Sequence, residues 1–216
     1  MHLLIDIGNS TVVGAIANDN GEIVSTWRFD TIKNQTTDYY IDNLKSGLCA
    51  CGIEPSDIEK TAISSVVPEL NNRFVDAVSK ITGGEPRFFS VIDAERLLDI
   101  DVDFPEQVGK DRLADAIAAA ECYGSPTIVI DMGTATTVGV VTAQRKFVGG
   151  MIIPGVKTSH RALCERASQL SEIDKWKAGS IVGRNTKECM QSGVIFGAAC
   201  MIDGVIDRIN DMFDSQ

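Results

Sequence analysis

The sequence predicts a duplicated α/β fold in which two similar halves enclose a ligand-binding cleft. Two segments match without a gap at an offset of 125 residues: LLIDIGNSTVVGAI, which starts at Leu3, and IVIDMGTATTVGVV, which starts at Ile128. Both contain the pattern D-x-G-x-x-T followed by Val-Gly. In each copy β-branched residues precede and follow a glycine turn, which is typical of a β-hairpin. Independent turns have no reason to share these identities, so the repeat indicates one structural unit used twice.

Each predicted hairpin continues into a third strand, and helical and strand patterns then alternate. The third strands are EIVSTWRF, after the turn signal Asp19-Asn20-Gly21, and KFVGGMII in the second copy. KTAISSVV and Arg87–Ile92 predict further strands of the first half. This alternation predicts two α/β halves, residues 1–110 and 111–216, with the ligand at the strand ends between them. The predicted helices are Thr37–Ala50 (capped by Thr36 or Thr37), Glu69–Ile81, Asp111–Tyr123, Gly155–Ser168 and Asn185–Phe213.

Composition restricts the functional class. The chain has 216 residues and a formal net charge of −10, which disfavours binding to a nucleic-acid backbone. Its six cysteines form no CxxC pair and its two histidines have no metal-ligand spacing, so we expect reduced, mostly buried thiols. No charge-free apolar run approaches the ~20 residues that a membrane-spanning helix needs, and the start of the sequence lacks the features of a secretory signal. We therefore expect a soluble cytoplasmic protein without a nucleic-acid or membrane partner.

The repeated hairpins have the chemistry of a phosphate-binding site. A glycine at a tight turn lets the backbone approach a ligand closely, and neighbouring hydroxyl groups can donate to phosphate oxygens. An aspartate at the end of the preceding strand, Asp6 or Asp131, can hold a cation directly or through water. Two such hairpins can bind one polyphosphate, which predicts a nucleotide site. The hydroxyl groups in question belong to Ser10, Thr11, Thr134, Thr136 and Thr137.

The last predicted helix carries an apolar stripe at three-to-four spacing. Such a stripe is explained equally well by packing in the core and by a seam between two subunits. It comprises Val194, Ala198, Met201, Val205, Ile209 and Met212.

Eight motifs, the two hairpins among them, occur in the order found in type III pantothenate kinases, and the chain resembles that family over nearly its whole length. They are DIGNS at Asp6, WRFDT at Trp27, ISSVVP at Ile63, GKDR at Gly109, DMGTATT at Asp131, GGMIIPG at Gly149, GRNT at Gly183 and MQSG at Met190. The resemblance implies the ribonuclease H-like, actin-like ATPase fold. It also implies transfer of the γ-phosphoryl group of ATP to pantothenate, the first step of coenzyme A biosynthesis, by a homodimer.

The resemblance also implies roles for individual residues. Asp111 matches the catalytic base, and Asp131 matches the aspartate that holds a monovalent cation, potassium or ammonium. Magnesium accompanies ATP, held by Asp6 through water. The residues matching the pantothenate site are Gly109, Lys110, Asp111, Arg112 and Thr186, and those matching the ATP site are Asp6, Ile7, Gly8, Asn9, Ser10, Thr11, Val12, Val13 and Thr134.

Two alternatives stay open at this point. The chain could be another small-molecule kinase on the same scaffold, or a non-catalytic regulatory relative. From the residues alone, Asp111 could simply complement a helix dipole and Arg112 could form a surface ion pair. Three positions, Val12, Lys110 and Val102, depart from the usual family pattern.

Overall fold

The computed structural model describes residues 1–173 and 175–214, and these form two compact units. Unit 1 comprises Met1–Thr127 with Gly139–Gly149, and unit 2 comprises Ile128–Val138 with Gly150–Gln216. The division into domains at residues 110 and 111 stays a prediction.

The first sheet has five strands in the order β3-β2-β1-β4-β5. Strands β1, β2 and β3 form an antiparallel meander, as the sequence predicts, and β4 lies parallel to β1 on its other side. Asp6 and Ser64 are register partners across that parallel pair. The strands are β1 His2–Ile7, β2 Thr11–Ala17, β3 Ile23–Asp30, β4 Lys60–Ser65 and β5 Arg87–Phe88.

The core of unit 1 lies against one face of this sheet. Alternate residues of β1 are buried, as expected of a strand with one face on the core, and helices α1 (Thr37–Ala50) and α2 (Asn71–Thr82) supply its other side. Tyr40 and Phe74 pack here with ring centroids 4.7 Å apart. Helix α1 begins as predicted, because the Thr36 side chain accepts a hydrogen bond from the Tyr39 N–H.

Trp27 fills a space that two glycines leave open. A Cβ atom at Gly14 or Gly47 would lie 2.4 or 2.1 Å from the indole, far inside van der Waals contact. Trp27 is therefore a packing residue between β2 and α1.

Several predicted boundaries in unit 1 are wrong: the strand predicted over KTAISSVV, for example, ends at Ser65. The strand predicted to reach Ile92 ends at Phe88, because Ser90 and Asp93 form a reciprocal capping box that starts helix α3 (Val91–Glu95). Helix α2 begins at Asn71 rather than Glu69, since Pro68–Leu70 first makes a 3₁₀ turn.

The second sheet has the strand order β6-β9-β8-β7, which confirms the second predicted meander. Its strands are β6 Asp99–Ile100, β7 Thr127–Met132, β8 Ala135–Val141 and β9 Lys146–Pro154. The remaining helices are α4 Lys110–Tyr123, α5 Val156–Arg166 and α6 Thr186–Asp214.

Helix α6 leaves much of its apolar surface open. Its segment Thr186–Phe213 is long and apolar enough to cross a membrane by length and composition alone, with 11% of its most apolar window buried. The expectation of mostly buried thiols is wrong: all six cysteines are free, four are exposed and two are half-buried. Two of the exposed thiols, Cys189 and Cys200, lie on α6, whose packing within unit 2 is slight.

Candidate active site

The first hairpin forms a tight turn between β1 and β2. The Gly8 N–H donates to the Thr11 carbonyl at 3.1 Å, and a Cβ at Gly8 would lie only 3.0 Å from the same oxygen. Asn9 and Ser10 are exposed at the tip, and Asp6 is half-buried at the end of β1. The side chains of Ile7 and Val12 are fully buried, so these residues can offer only backbone groups to a ligand.

The second hairpin joins β7 to β8. The Gly133 N–H donates to the Ala135 carbonyl at 3.0 Å, Asp131 is exposed near the end of β7, and Thr134 is exposed in the turn. Thr136 is fully buried, and its Oγ1 has no hydrogen-bond partner among the described residues. The Thr136 hydroxyl is thus closed off from solvent, and its predicted contact with a phosphate stays a prediction.

Gly109 makes room for the carboxylate of Asp111. A Cβ at Gly109 would lie 2.3 Å from Asp111 Oδ1, a separation that real Cβ atoms essentially never show. The same oxygen accepts a hydrogen bond of 2.7 Å from the Arg112 N–H, at the start of α4. Asp111 is half-buried. The G-x-D-R sequence thus folds the carboxylate back over its own glycine.

The side chain of Arg112 lies against an aromatic ring in unit 1. Its guanidinium carbon is 5.7 Å from the centroid of Phe147, a cation–π distance. Burial lowers the pKa of Arg112 from its usual value, and the nearby carboxylate of Asp111 opposes that shift. Even when lowered, an arginine pKa leaves the group charged at neutral pH. The N-terminal turn of α4 therefore presents a carboxylate and a fixed cation side by side.

Thr186, the predicted substrate-binding threonine of unit 2, lines a cavity of about 570 Å³. The cavity is mainly apolar, with Val156 and Leu163 of α5 and Met190 and Met201 of α6 in its wall. Its volume lies within the range of small-molecule sites.

His160 is the buried polar residue of the same wall. It is 5% exposed, its Nε2 accepts a hydrogen bond from the Ile173 N–H at 3.2 Å, and its ring meets Trp176 edge-on with centroids 5.3 Å apart. The ring is therefore held in one orientation at the edge of the cavity.

Asp6 and Asp131 both offer carboxylate oxygens, the donors that magnesium and potassium prefer. A separate group at the other end of β1 brings donor atoms of His2, Asp19 and Glu59 within 4.8 Å of one another. The Met1 ammonium lies 3.8 Å from Asp19 and 3.4 Å from Glu59, so an ion-pair cluster accounts for these carboxylates.

Comparison with known proteins identifies the family. The sequence model of the type III pantothenate kinases matches residues 2–208. The chain belongs to the type III pantothenate kinase family. A type III pantothenate kinase of Halalkalibacterium halodurans is 36% identical over all of this chain and 84% of the relative. That of Streptomyces griseus is 38% identical over 97% of this chain and 80% of the relative.

Solved structures show the same fold as this type III pantothenate kinase family member at much lower sequence identity. A Campylobacter jejuni protein described as a Baf family transcriptional activator aligns with 94% of this chain and 78% of its own length, at a TM-score of 0.55 and 18% identity. A Sinorhizobium meliloti protein described as a 2-dehydro-3-deoxygalactonokinase aligns with 83% of this chain and 62% of its own, at a TM-score of 0.52 and 14% identity. The chain thus has the duplicated, actin-like α/β fold.

The predicted site residues are divided between the two units. Unit 1 holds the first hairpin and the GKDR turn, and unit 2 holds Asp131, Thr134 and Thr186. Sequence reasoning missed Phe147 beneath Arg112 and His160 in the cavity wall. His160 lies five residues after Gly155, the last residue of the GGMIIPG motif, but nothing in the sequence links it to Ile173 or Trp176.

Proposed function

We propose that this protein phosphorylates pantothenate with ATP, giving 4′-phosphopantothenate in the first step of coenzyme A biosynthesis. The observation that carries the proposal is the GKDR turn, where Gly109 seats the Asp111 carboxylate and Arg112 stands beside it. Membership of the type III pantothenate kinase family supports the choice of reaction. The alternative of a kinase for another acceptor predicts the same turn with a different substrate.

The chemistry is a direct phosphoryl transfer. The primary hydroxyl oxygen of pantothenate attacks the γ-phosphorus of ATP, the bond from that phosphorus to the bridging oxygen breaks, and ADP leaves. The Asp111 carboxylate orients the hydroxyl and accepts its proton. Because the transition state is loose, positioning and neutralisation of charge matter more than the strength of the base.

The two hairpins are the proposed phosphate-binding elements. The hairpin of residues 6–13 and the side chain of Thr134 would contact ATP, and Asp6 would hold magnesium through water. Magnesium, when bound, neutralises charge on the phosphate groups. Asp131 is exposed at the end of β7, which suits a carboxylate that would hold a potassium or ammonium ion.

Pantothenate has a branched apolar segment and a terminal carboxylate, and two features fit those parts. The cavity that Thr186 lines is mainly apolar, and the Arg112 cation suits an anionic or hydroxyl-rich ligand. Gly109 and Lys110 would contribute backbone and side-chain donors at the same turn.

Helix α6 supports a homodimer. It carries the apolar stripe described above, and only 11% of its most apolar window is buried within one chain. An apolar stripe on a helix normally packs against another element, and a second copy of α6 would cover the stripe that includes Met201 and Val205. We propose that the dimer is cytoplasmic, in keeping with the acidic composition.

Identification of the product tests the function. The purified protein would be incubated with ATP, magnesium, potassium and a panel of hydroxylated small acids that includes pantothenate. Mass spectrometry should find the phosphorylated form of pantothenate and of no other member of the panel. Phosphorylation of a different member, with pantothenate unmodified, would overturn the substrate assignment and favour the alternative kinase.

A further inference from the structure

A threonine fixes the back of the first hairpin. Thr31, the residue that follows β3 in the WRFDT motif, donates its hydroxyl to the Gly8 carbonyl at 2.7 Å. Its backbone N–H donates to the Ser10 carbonyl at 3.0 Å. One residue thus holds two carbonyl groups of the same turn.

The second hairpin is held in a similar way, by contacts from the start of α5 to its turn. The Thr158 hydroxyl donates to the Thr134 carbonyl at 2.7 Å, and the Gly155 N–H donates to the same oxygen at 3.1 Å. A Cβ at Gly155 would lie 2.3 Å from the Gly133 carbonyl oxygen and 2.5 Å from that of Thr134, so only glycine allows α5 to approach this closely. The close approach explains the final glycine of the GGMIIPG motif.

These contacts determine which way the peptide groups of each turn face. In a planar trans peptide the C=O and the following N–H point in opposite directions. Because the Gly8 and Thr134 carbonyls are held toward Thr31 and Thr158, the next N–H groups, those of Asn9 and Ala135, point to the other side of each turn. A phosphate that binds on that side meets donors already oriented, so less reorganisation accompanies binding.

We propose that Thr31 and Thr158 are positioning residues which hold the two hairpins in the conformation that binds the phosphates of ATP. The inference rests on the proposed function only in taking ATP as the ligand of the hairpins. Both threonines act through the backbone of other residues and need not contact the nucleotide. Each copy thus has a threonine hydroxyl and a main-chain N–H bonded to carbonyls of its turn, although the carbonyl that the hydroxyl contacts lies one position later in the second copy.

Removal of each hydroxyl tests the proposal. Thr31→Val and Thr158→Val keep the shape and the β-branch of the side chain but lose the donor, while Thr31→Ser and Thr158→Ser retain it. Thr82→Val in α2 is the matched control, because it also removes a hydroxyl that donates to a main-chain carbonyl, that of Val78 at 3.0 Å. The readouts are the dissociation constant of MgADP by calorimetry, the separate KM values for ATP and pantothenate, and the unfolding temperature.

Each valine variant should weaken MgADP binding and raise the KM for ATP by roughly five- to twentyfold, the effect of one hydrogen bond. The KM for pantothenate should stay within about twofold of wild type, and serine should restore nucleotide binding. In the double valine variant the two factors should multiply if the hairpins are held independently.

Two results would overturn the proposal: wild-type MgADP affinity in both valine variants, or equal losses of affinity for ATP and pantothenate that serine does not restore. MgADP binding is measured without an acceptor, so the role of Thr31 and Thr158 is tested even if the protein phosphorylates something other than pantothenate. Failure of the proposed function would instead appear as intact nucleotide binding by the wild type without phosphorylation of pantothenate.

Discussion

Replacement of Gly109 by alanine should separate catalysis from folding. The new Cβ would lie 2.3 Å from Asp111 Oδ1, so the carboxylate has to rotate away from its place. General-base catalysis contributes about 10²- to 10⁴-fold, and we expect kcat to fall by roughly 10²- to 10³-fold. The backbone of Gly109, at φ −57° and ψ 135°, is accessible to alanine. The free energy of unfolding should therefore change by no more than about 1 kcal/mol, the size of a helix-cap effect.

The assay compares kcat from coupled ADP release with the free energy of unfolding from urea titration. Gly84→Ala is the matched control in the same unit, since a Cβ there has an ordinary contact of 3.8 Å with Thr82 Oγ1. The control should retain both activity and stability. If Gly109→Ala retains kcat within about threefold of wild type, the carboxylate does not act from the position that the glycine permits, and the reasoning fails.

Three other perturbations test separate parts of the structure. Gly47→Ala places a Cβ 2.1 Å from the Trp27 indole, and overpacking of this kind should lower the free energy of unfolding by about 1–3 kcal/mol in a urea titration. The pKa of Asp93 is lowered chiefly by the hydrogen bond from Ser90. The stability that the Asp93 carboxylate contributes is therefore present above pH ~4 and is lost as the pH falls through its folded-state pKa. Asp93→Asn should flatten the acid side of a curve of stability against pH. Val205→Glu on α6 should convert a dimer into a monomer in light scattering coupled to gel filtration, whereas an unchanged mass would exclude this helix as the seam.

The repeated hairpins could be predicted because their signals are local. A glycine turn between β-branched runs specifies a hairpin whatever surrounds it, and both meanders formed as expected. The end of β5 could not be read in the same way. Val91 and Ile92 favour a strand by propensity, but the Ser90 cap with Asp93 three residues later favours a helix, and the cap prevailed.

In the candidate site, too, local features could be predicted from the sequence and tertiary contacts could not. The G-x-D-R turn is a contiguous sequence, so its residues could be identified before the fold was known. Burial of Thr136 follows from the period-two alternation of β8, in which Val138 and Val140 are buried on the same face. This pattern could have predicted that the Thr136 side chain is buried. Phe147 beneath Arg112 depends on tertiary packing between elements distant in the chain, which no local pattern reveals.

The catalytic role of Asp111 is tested most directly by steady-state ADP release with ATP, magnesium and potassium. The assay compares wild type with Asp111→Asn, each in the presence and absence of pantothenate. Asparagine keeps the shape of the side chain but cannot accept the proton. We predict turnover that depends on pantothenate in the wild type and a loss of about 10²-fold or more in the variant, with MgADP binding unchanged. Wild-type turnover that is independent of pantothenate, or a fully active Asp111→Asn variant, would contradict the assignment of this protein as a pantothenate kinase with Asp111 as its base.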